Sequence, residues 1–550
     1  MQMKKRSLII YGVLLFFMMG IIIRVYAISS QENLAEAGIS QTTYTLNIET
    51  DRGMIYDRNF EPLVEETGNH VAAVLPSNET LAALSPLIEP ENREWFYNKM
   101  QGSLPFIMPV SSFDLIADGV SLFKTTQRYS QNQLARHVIG YVDSTGENGL
   151  SGIEKAYNDI LATASGSLSV SYAVTAWNNT LSGTVPEVTD ARENARQGVV
   201  LTLDKDIQRA VEYAMRGNGD RSSVEKGAAV VMDVESGDIL AMVSMPEFDP
   251  NDIEAGLTNV NSPFVNRALA AYNIGSTFKL VVAAAALENG IPVSQLYNCT
   301  GSLQVSDILF HCHKEDGHGW LTMRTATMYS CNVYFIQLGR QTGAGSILSM
   351  ASSMGFGQAD TLCDGIVTSA GNLPDADKMT VGDVANISFG QGDLLATPVQ
   401  LCKMISAIAN GGLLPAPSLV KGITDSTGTG IETPSKQYSA ARVMQQETAD
   451  TIKQFLIDTV ESGTGIYAKP EVGGAGGKTS SAQTGVYDEN GEEIVHAGFA
   501  GFYPAESPKY AIYIVAEGMT SGGEYTAHIF KDICDSIYSI EQKRTVDKAG

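Results

Sequence analysis

A serine three residues ahead of a lysine puts a hydroxyl and an amine on one face of a helix, one turn apart. That is the minimum for a nucleophile with its own base. This chain holds four such pairs, Ser121/Lys124, Ser223/Lys226, Ser276/Lys279 and Ser418/Lys421, where about two are expected by chance at this length. Only Ser276 is followed by a long apolar run, residues 277–288, closed by Gly290 and Pro292. The pattern predicts a buried helix with its start and stop signals in place. Ser276 would then sit at the positive end of the helix dipole, where an oxyanion is stabilised. Burial would lower the pKa of Lys279 and leave a neutral amine to take the serine proton. Taken alone, the pair reads more readily as a helix N-cap with a solvated lysine.

Ser330-Cys331-Asn332 lies in a stretch of helical pattern over 321–338. Residues two apart on a helix do not face the same way, so a pocket on which both converge needs a bend there. In such a pocket Ser330 would pass a proton to a leaving amine, and Asn332 would hold a substrate amide. The motif is weak by itself, since Ser130-Gln131-Asn132 repeats it. Gly476-Gly477-Lys478-Thr479-Ser480-Ser481 sets a lysine and hydroxyls behind glycines. Gly473 and Gly477 are one residue too close for a phosphate-binding loop. The plain reading is a glycine-rich surface loop.

These residues need elements to position them. Over 29–196 the pattern is mixed, with strands expected at 43–48 and 167–174 and no motif that demands catalysis. Beyond it a helix is expected at 201–215, then β-prone runs at 228–233 and 238–243 joined by Glu235-Ser236-Gly237, a hairpin signal. Near the end, 510–516 is β-prone and 527–540 is helical in pattern. Strands from both ends of a domain with helices between predict an α+β fold. The expected division is a module over 29–196, a chemical domain over 197–540 and a tail over 541–550.

The composition bounds the partners. The 550 residues are 44% hydrophobic and 18% charged, a globular profile for two or three domains. A net charge of −24 excludes nucleic acid. The charge is uneven, because Lys4, Lys5 and Arg6 precede an apolar run over 8–28 in which Arg24 can snorkel. That run is long enough to cross a membrane. Its basic flank predicts a cytoplasmic tip over 1–7, with everything after the anchor outside. Tyr26 and the length of the run disfavour a cleaved signal peptide.

Six cysteines are too few for a disulfide scaffold. Cys331, Cys402 and Cys534 fall in helical patterns and read as small buried hydrophobes. Cys299 and Cys312 sit in a looped segment and could pair in an oxidising compartment. With His311, His313 and His318 they offer nitrogen and sulfur donors for zinc, but the spacing matches no common closed site. The expectation is therefore no metal and no other cofactor.

The three motifs occur in order along the chain, and together they resemble the penicillin-binding proteins. The match is wider than the motifs. Arg52-Gly-Met-Ile-Tyr-Asp-Arg-Asn59 is similar to the signature that opens the N-terminal module of the class B members. Arg128-Tyr129, Ala135-Arg-His-Val-Ile-Gly-Tyr141 and Gly149-Leu-Ser-Gly-Ile-Glu154 resemble its later signatures. In the second half Asn266-Arg-Ala268, Gly390-Gln-Gly392, Thr397-Pro398 and His496-Ala-Gly-Phe-Ala-Gly501 also match. The resemblance spans about residues 24–538, and no glycosyltransferase module precedes it.

The resemblance implies a membrane helix, a mostly-β pedestal module and a serine transpeptidase fold with a central antiparallel sheet flanked by helices. It implies Ser276 as the nucleophile, Lys279 as its base and Ser330 as the proton shuttle. Asn332 would bind the substrate amide, and Lys478 and Thr479 the substrate carboxylate along a sheet edge. The N–H groups of Ser276 and Ser481 would form the oxyanion hole. The implied substrates are peptidoglycan stem peptides and a lipid-linked precursor. β-Lactam antibiotics would be covalent ligands, and a membrane glycosyltransferase a partner. A catalytically silent scaffold and a β-lactam hydrolase are the competing readings. Three positions depart from the family pattern: Ser480 for a glycine of the third motif, Ile274 for a proline and Gly498 for a tryptophan.

Overall fold

The computed structural model describes residues 2–29, 43–64, 66–110, 117–164, 166–175, 179–181, 185–192, 196–217, 221, 223–435, 440–487, 491, 493–519 and 523–549. The chain divides into two compact units, one of 1–51, 65–128 and 165–195, the other of 52–64, 129–164 and 196–550.

The first unit begins with α1 (Gln2–Ser29), whose apolar side chains over Ile10–Ala27 stand exposed. Among the described residues it is the one helix long and apolar enough to cross a membrane. Six strands follow: β1 (Thr43–Asp51), β2 (Glu66–Val74), β3 (Phe106–Val110), β4 (Val120–Gln127), β5 (Gly166–Ala173) and β6 (Glu187–Asp190). They form two antiparallel three-stranded sheets, in the orders β1-β5-β6 and β3-β2-β4. Along β5 the burial alternates at every residue, with Leu168, Val170 and Tyr172 inside, as the two-residue period of a pleated strand requires.

The second unit draws in 52–64 and 129–164 through specific contacts. Met54–Tyr56 pairs in parallel with Gly198–Leu201, and Arg52 Nε lies 2.8 Å from Glu154 Oε2 with both side chains buried. Its main elements are α2 (Lys205–Arg216), β7 (Gly227–Asp233), β8 (Ile239–Met245), α3 (Lys279–Glu288), α4 (Met323–Met328) and α5 (Asn332–Thr342). They continue with α6 (Pro398–Ala409), α7 (Gln446–Ser462), β9 (Gly476–Tyr487), β10 (Glu493–Tyr503), β11 (Tyr510–Met519) and α8 (Gly523–Ala549). The five strands form one antiparallel sheet in the order β8-β7-β11-β10-β9. The fold is α+β, as expected, with the sheet assembled from both ends of the unit.

Both faces of that sheet are covered, which explains why its central strand reads as a continuous apolar run. Ile512, Ile514 and Ala516 pack with Ile207 and Val211 of α2 and Phe530 and Ile533 of α8. Ala511, Tyr513 and Val515 belong to the opposite core, with α3 and the wholly buried α6. Thr397 and Gln400 close the N-terminus of α6 by a reciprocal capping box.

Two helix limits differ from the sequence reading. The helix expected from 201 starts at Lys205, because Gly198–Leu201 is a strand and Asp204 caps the helix through the N–H groups of Asp206 and Ile207. The last helix runs on to Ala549 rather than ending at 540, because Arg544 reaches back to Asp204 with a two-pronged contact of 2.6 and 2.7 Å.

Candidate active site

The run after Ser276 forms α3 and is buried from Lys279 through Ala286. The chain enters it through a 3₁₀ turn, Gly275–Phe278, so Ser276 lies on the lip of the helix, half-buried. Gly275 has φ +62°, and a Cβ there would stand 2.5 Å from Ser480 Oγ and 2.9 Å from Ser481 O. Glycine is what lets β9 lie against the turn. From the other side Gly390 O accepts the N–H of Gly275 at 3.0 Å.

Lys279 is the hub. Its side chain is fully buried, and Nζ lies 3.1 Å from Ser276 Oγ, 3.1 Å from Ser330 Oγ, 2.8 Å from Ser330 O and 2.7 Å from Asn332 Oδ1. Burial pushes its pKa down to about 7, against the opposing pull of Cys331 and Cys312. A lysine with that pKa holds a large neutral fraction near pH 7, which a base toward serine needs.

The bend demanded by the two-residue spacing is present. The stretch read as one helix over 321–338 breaks into α4 and α5 with Tyr329, Ser330 and Cys331 between them. Ser330 takes the left-handed conformation, φ +53°, and Cys331 becomes the N-cap of α5, its Sγ accepting from Tyr334 N at 3.4 Å. This turn aims both the carbonyl and the hydroxyl of Ser330 at Lys279. Asn332, the first residue of α5, also donates through Nδ2 to His311 O at 3.3 Å.

The glycine-rich segment is not a surface loop. It opens β9, the edge strand of the sheet. A Cβ on Gly476 would meet the Phe502 ring at 2.2 Å and one on Gly477 the Phe499 ring at 2.5 Å, so these glycines serve close packing. Lys478 and Ser480 share the buried face of the strand, at 0% and 2% exposure, while Ser481 is exposed and Thr479 half-buried. Lys478 Nζ donates to Thr479 O at 3.0 Å. Burial, and then the nearby Lys279, hold its pKa well below that of a free lysine.

Ser276, Lys279, Ser330 and Asn332 therefore converge directly, and β9 packs against the turn that carries Ser276, with Ser481 O beside Gly275 and Lys478 close enough to Lys279 to feel its charge. Ser480 stands apart: its hydroxyl donates to Ile274 O at 2.6 Å and is committed to the turn. Sequence reasoning passed over Thr464, whose Oγ1 accepts from Thr479 Oγ1 at 3.2 Å; only its flanking glycines, Gly463 and Gly465, hinted at a special backbone. It also missed Glu517, which accepts from Arg267 Nε and Tyr272 OH, both at 2.8 Å. The other three serine–lysine pairs lie elsewhere. In this structure all six cysteines are free thiols, and Cys331, buried as expected, stands beside Cys312.

Comparison with known proteins identifies the family. The family model of the penicillin binding protein transpeptidase domain matches residues 227–535, more than half the chain. Stage V sporulation protein D of Bacillus subtilis is 27% identical over 99% of this chain and 88% of its own length. Peptidoglycan D,D-transpeptidase MrdA of Acinetobacter baumannii is 26% identical, covering 91% of this chain and 82% of its own. The crystal structure of penicillin binding protein 3 from Mycobacterium tuberculosis superimposes with a TM-score of 0.65 at 25% identity, over 91% of this chain and 97% of that one. The matched region holds the serine–lysine helix, the bend and the edge strand alike, and the chain belongs to the penicillin-binding protein transpeptidase family as a class B member.

Proposed function

We propose that this chain is a peptidoglycan D,D-transpeptidase acting through an acyl-enzyme on Ser276. The observation that carries the reading is the placement of one buried amine, Lys279 Nζ, at 3.1 Å from both Ser276 Oγ and Ser330 Oγ. One group can then take a proton from the nucleophile and return it toward a leaving amine.

In this mechanism Ser276 Oγ attacks the carbonyl carbon between the two terminal D-alanines of a stem peptide, and neutral Lys279 accepts the hydroxyl proton. The N–H groups of Ser276 and Ser481 hold the oxyanion. The C–N bond breaks, and the terminal D-alanine leaves with a proton relayed through Lys279 and Ser330. The amine of a neighbouring stem then attacks the ester carbonyl, forms the crosslink and restores the Ser276 hydroxyl. Asn332 binds the substrate amide. Lys478 and Thr479 hold its carboxylate, while the peptide lies along the free edge of β9. A β-lactam enters the same path and stops at the acyl-enzyme.

The surroundings follow from the charge pattern. The apolar helix beginning at residue 8 anchors the chain, and Lys4, Lys5 and Arg6 keep its tip in the cytoplasm. The family resemblance implies that the lipid-linked precursor reaches the catalytic domain from a partner membrane glycosyltransferase. A labelled penicillin tests the chemistry. Stable label on Ser276, lost in Ser276→Ala, together with crosslinked product from a lipid-linked precursor, is the expected result. Absence of label points to a silent scaffold, and rapid release of hydrolysed drug to a β-lactam hydrolase.

A further inference from the structure

Beside the bend, four side chains turn one donor atom each toward a common point. The thiolate-forming atoms of Cys299, Cys312 and Cys331 and Nδ1 of His318 all lie within 4.8 Å of one another. Cys299 Sγ and Cys312 Sγ each stand 3.6 Å from His318 Nδ1, and Cys312 Sγ stands 3.9 Å from Cys331 Sγ. A tetrahedron built on bonds of about 2.3 Å to sulfur and about 2.0–2.1 Å to nitrogen has S–N edges of about 3.6 Å and S–S edges of about 3.8 Å. The two S–N separations and the Cys312–Cys331 separation match those edges, and the remaining three are no longer than 4.8 Å. The Cys312–Cys331 separation is far longer than the roughly 2.05 Å of a disulfide.

We propose that Cys299, Cys312, His318 and Cys331 hold a structural zinc ion, and that this ion fixes the Ser330-Cys331-Asn332 bend. Four protein ligands close the coordination sphere and leave no open position for substrate, which is the structural rather than the catalytic pattern. On binding, zinc displaces the thiol protons to solvent.

The local fold is built around this point. Cys299 ends a short strand, Tyr297–Cys299, paired with Gly319–Leu321, and His318 immediately precedes that partner. Cys312 follows the hairpin Ser302–Val305/Ile308–His311. The connecting backbone is drawn in tightly: a Cβ on Gly301 would lie 1.7 Å from Glu315 O, and one on Gly317 would lie 2.2 Å from Cys299 O. The three thiols are buried, at 2%, 4% and 0% exposure. His318 is held by stacking on Tyr329, within the bend itself, at 6.0 Å between ring centroids. The same loop offers His311 O to Asn332. Zinc on Cys331 therefore restrains the residue between the proton shuttle and the amide binder, and the loop restrains Asn332 directly.

Sequence spacing concealed the site because the fourth ligand lies inside the catalytic motif, well beyond the His-rich loop. The metal assignment stands apart from the transpeptidase reading; only the positioning consequence rests on that reading.

The test uses the full chain in detergent, purified under reducing conditions. Elemental analysis is expected to find one zinc per chain, and exchange with Co²⁺ to give the absorption of a tetrahedral thiolate site. Cys331→Ser and His318→Ala should each lower zinc affinity at least tenfold, while Cys534→Ser, a buried thiol in another core, keeps full stoichiometry. If Cys331→Ser fails to fold, His318→Ala carries the test, because that side chain is half-buried. A chain that takes up neither zinc nor Co²⁺ overturns the proposal. So does zinc retained at full affinity in His318→Ala, or a Cys312–Cys331 disulfide as the reduced preparation's resting form. Removing zinc should slow penicillin acylation of Ser276 by about tenfold to a hundredfold, with recovery on adding Zn²⁺ alone. An unchanged rate overturns the positioning role. Zinc bound normally with no label on Ser276 in any form would instead overturn the transpeptidase reading.

Discussion

Ser480 Oγ donates a 2.6 Å hydrogen bond to the carbonyl of Ile274, so two of the three positions that the sequence reading set apart from the expected family pattern are bonded to each other. The third lies across the strand pair. Gly498 is in register with Ser480, and a Cβ at 498 would stand 3.3 Å from Ser480 Cβ and 3.0 Å from Tyr513 OH. The serine side chain occupies room that a side chain at 498 would need, and its hydroxyl ties the edge strand to the residue before Gly275. The three positions thus form one contiguous unit next to the turn ahead of Ser276.

The two sites should accordingly be coupled. Ser480→Gly removes a buried hydrogen bond and leaves Ile274 O without it, at about 1–2 kcal/mol. Gly498→Ala overpacks the strand pair by about 1–3 kcal/mol. In the double variant the contact with Ser480 Cβ is gone, so the second substitution should cost at least ~0.5 kcal/mol less than it does alone. Urea melts of the four proteins give the cycle. Strict additivity would show that the two residues do not share space.

Lys279 sets a pH dependence with a defined sign. Burial lowers its pKa to about 7; with the neutral amine as the proposed base, acylation by a labelled penicillin should climb roughly tenfold per pH unit below 7 and level off above it. Lys279→Arg keeps a charge at every accessible pH and should lose about 10³-fold or more in rate. A flat rate between pH 5 and 9 would remove Lys279 from the role of base.

His137 should govern part of the acid stability. Its ring packs edge-on to Phe248, and Nε2 lies 2.6 Å from Pro263 O, a contact the neutral ring makes as donor. Burial lowers its pKa to about 4, against about 6.5 for a free histidine. Between those values the unfolded chain binds a proton that the folded chain does not. Stability held above pH 6.5 therefore falls as pH drops through the window, by about 2 kcal/mol at pH 5. Denaturant melts of wild type and His137→Gln at pH 7 and pH 5 measure it; the variant should show the shallower decline.

The sequence made some of this legible and hid the rest for physical reasons. Ser276 and Lys279 could be placed because a helix lets local spacing dictate a side-chain contact. The bend at Ser330 was foreseeable for the same reason, since an unbroken helix would splay Ser330 and Asn332 apart. The strand at Gly476 was legible only through the family resemblance, which implied a sheet edge at Lys478 and Thr479, and not in the residues themselves. Glycines have poor strand propensity and read as loop, whereas here they admit the rings of Phe499 and Phe502, which come from a neighbouring strand. The union of Cys331 with Cys299, Cys312 and His318 was hidden too, because nothing local links the helix cap to a distant hairpin.

Ser330 offers the sharpest separation of backbone from side chain. Its φ of +53° strains any residue with a Cβ, and this conformation is what turns its carbonyl and hydroxyl together onto Lys279 Nζ. Ser330→Gly keeps the turn and removes the hydroxyl, while Ser330→Ala removes the hydroxyl and keeps the strain. The glycine variant should therefore be the more stable of the two by about 1 kcal/mol, read as the higher Tm. If the hydroxyl relays the proton, both variants should lose acylation to a similar degree, about 10²–10⁴-fold. If the turn alone matters, Ser330→Gly should acylate at close to the wild-type rate despite lacking the hydroxyl, and Ser330 would then be a positioning residue for Lys279 rather than a proton shuttle.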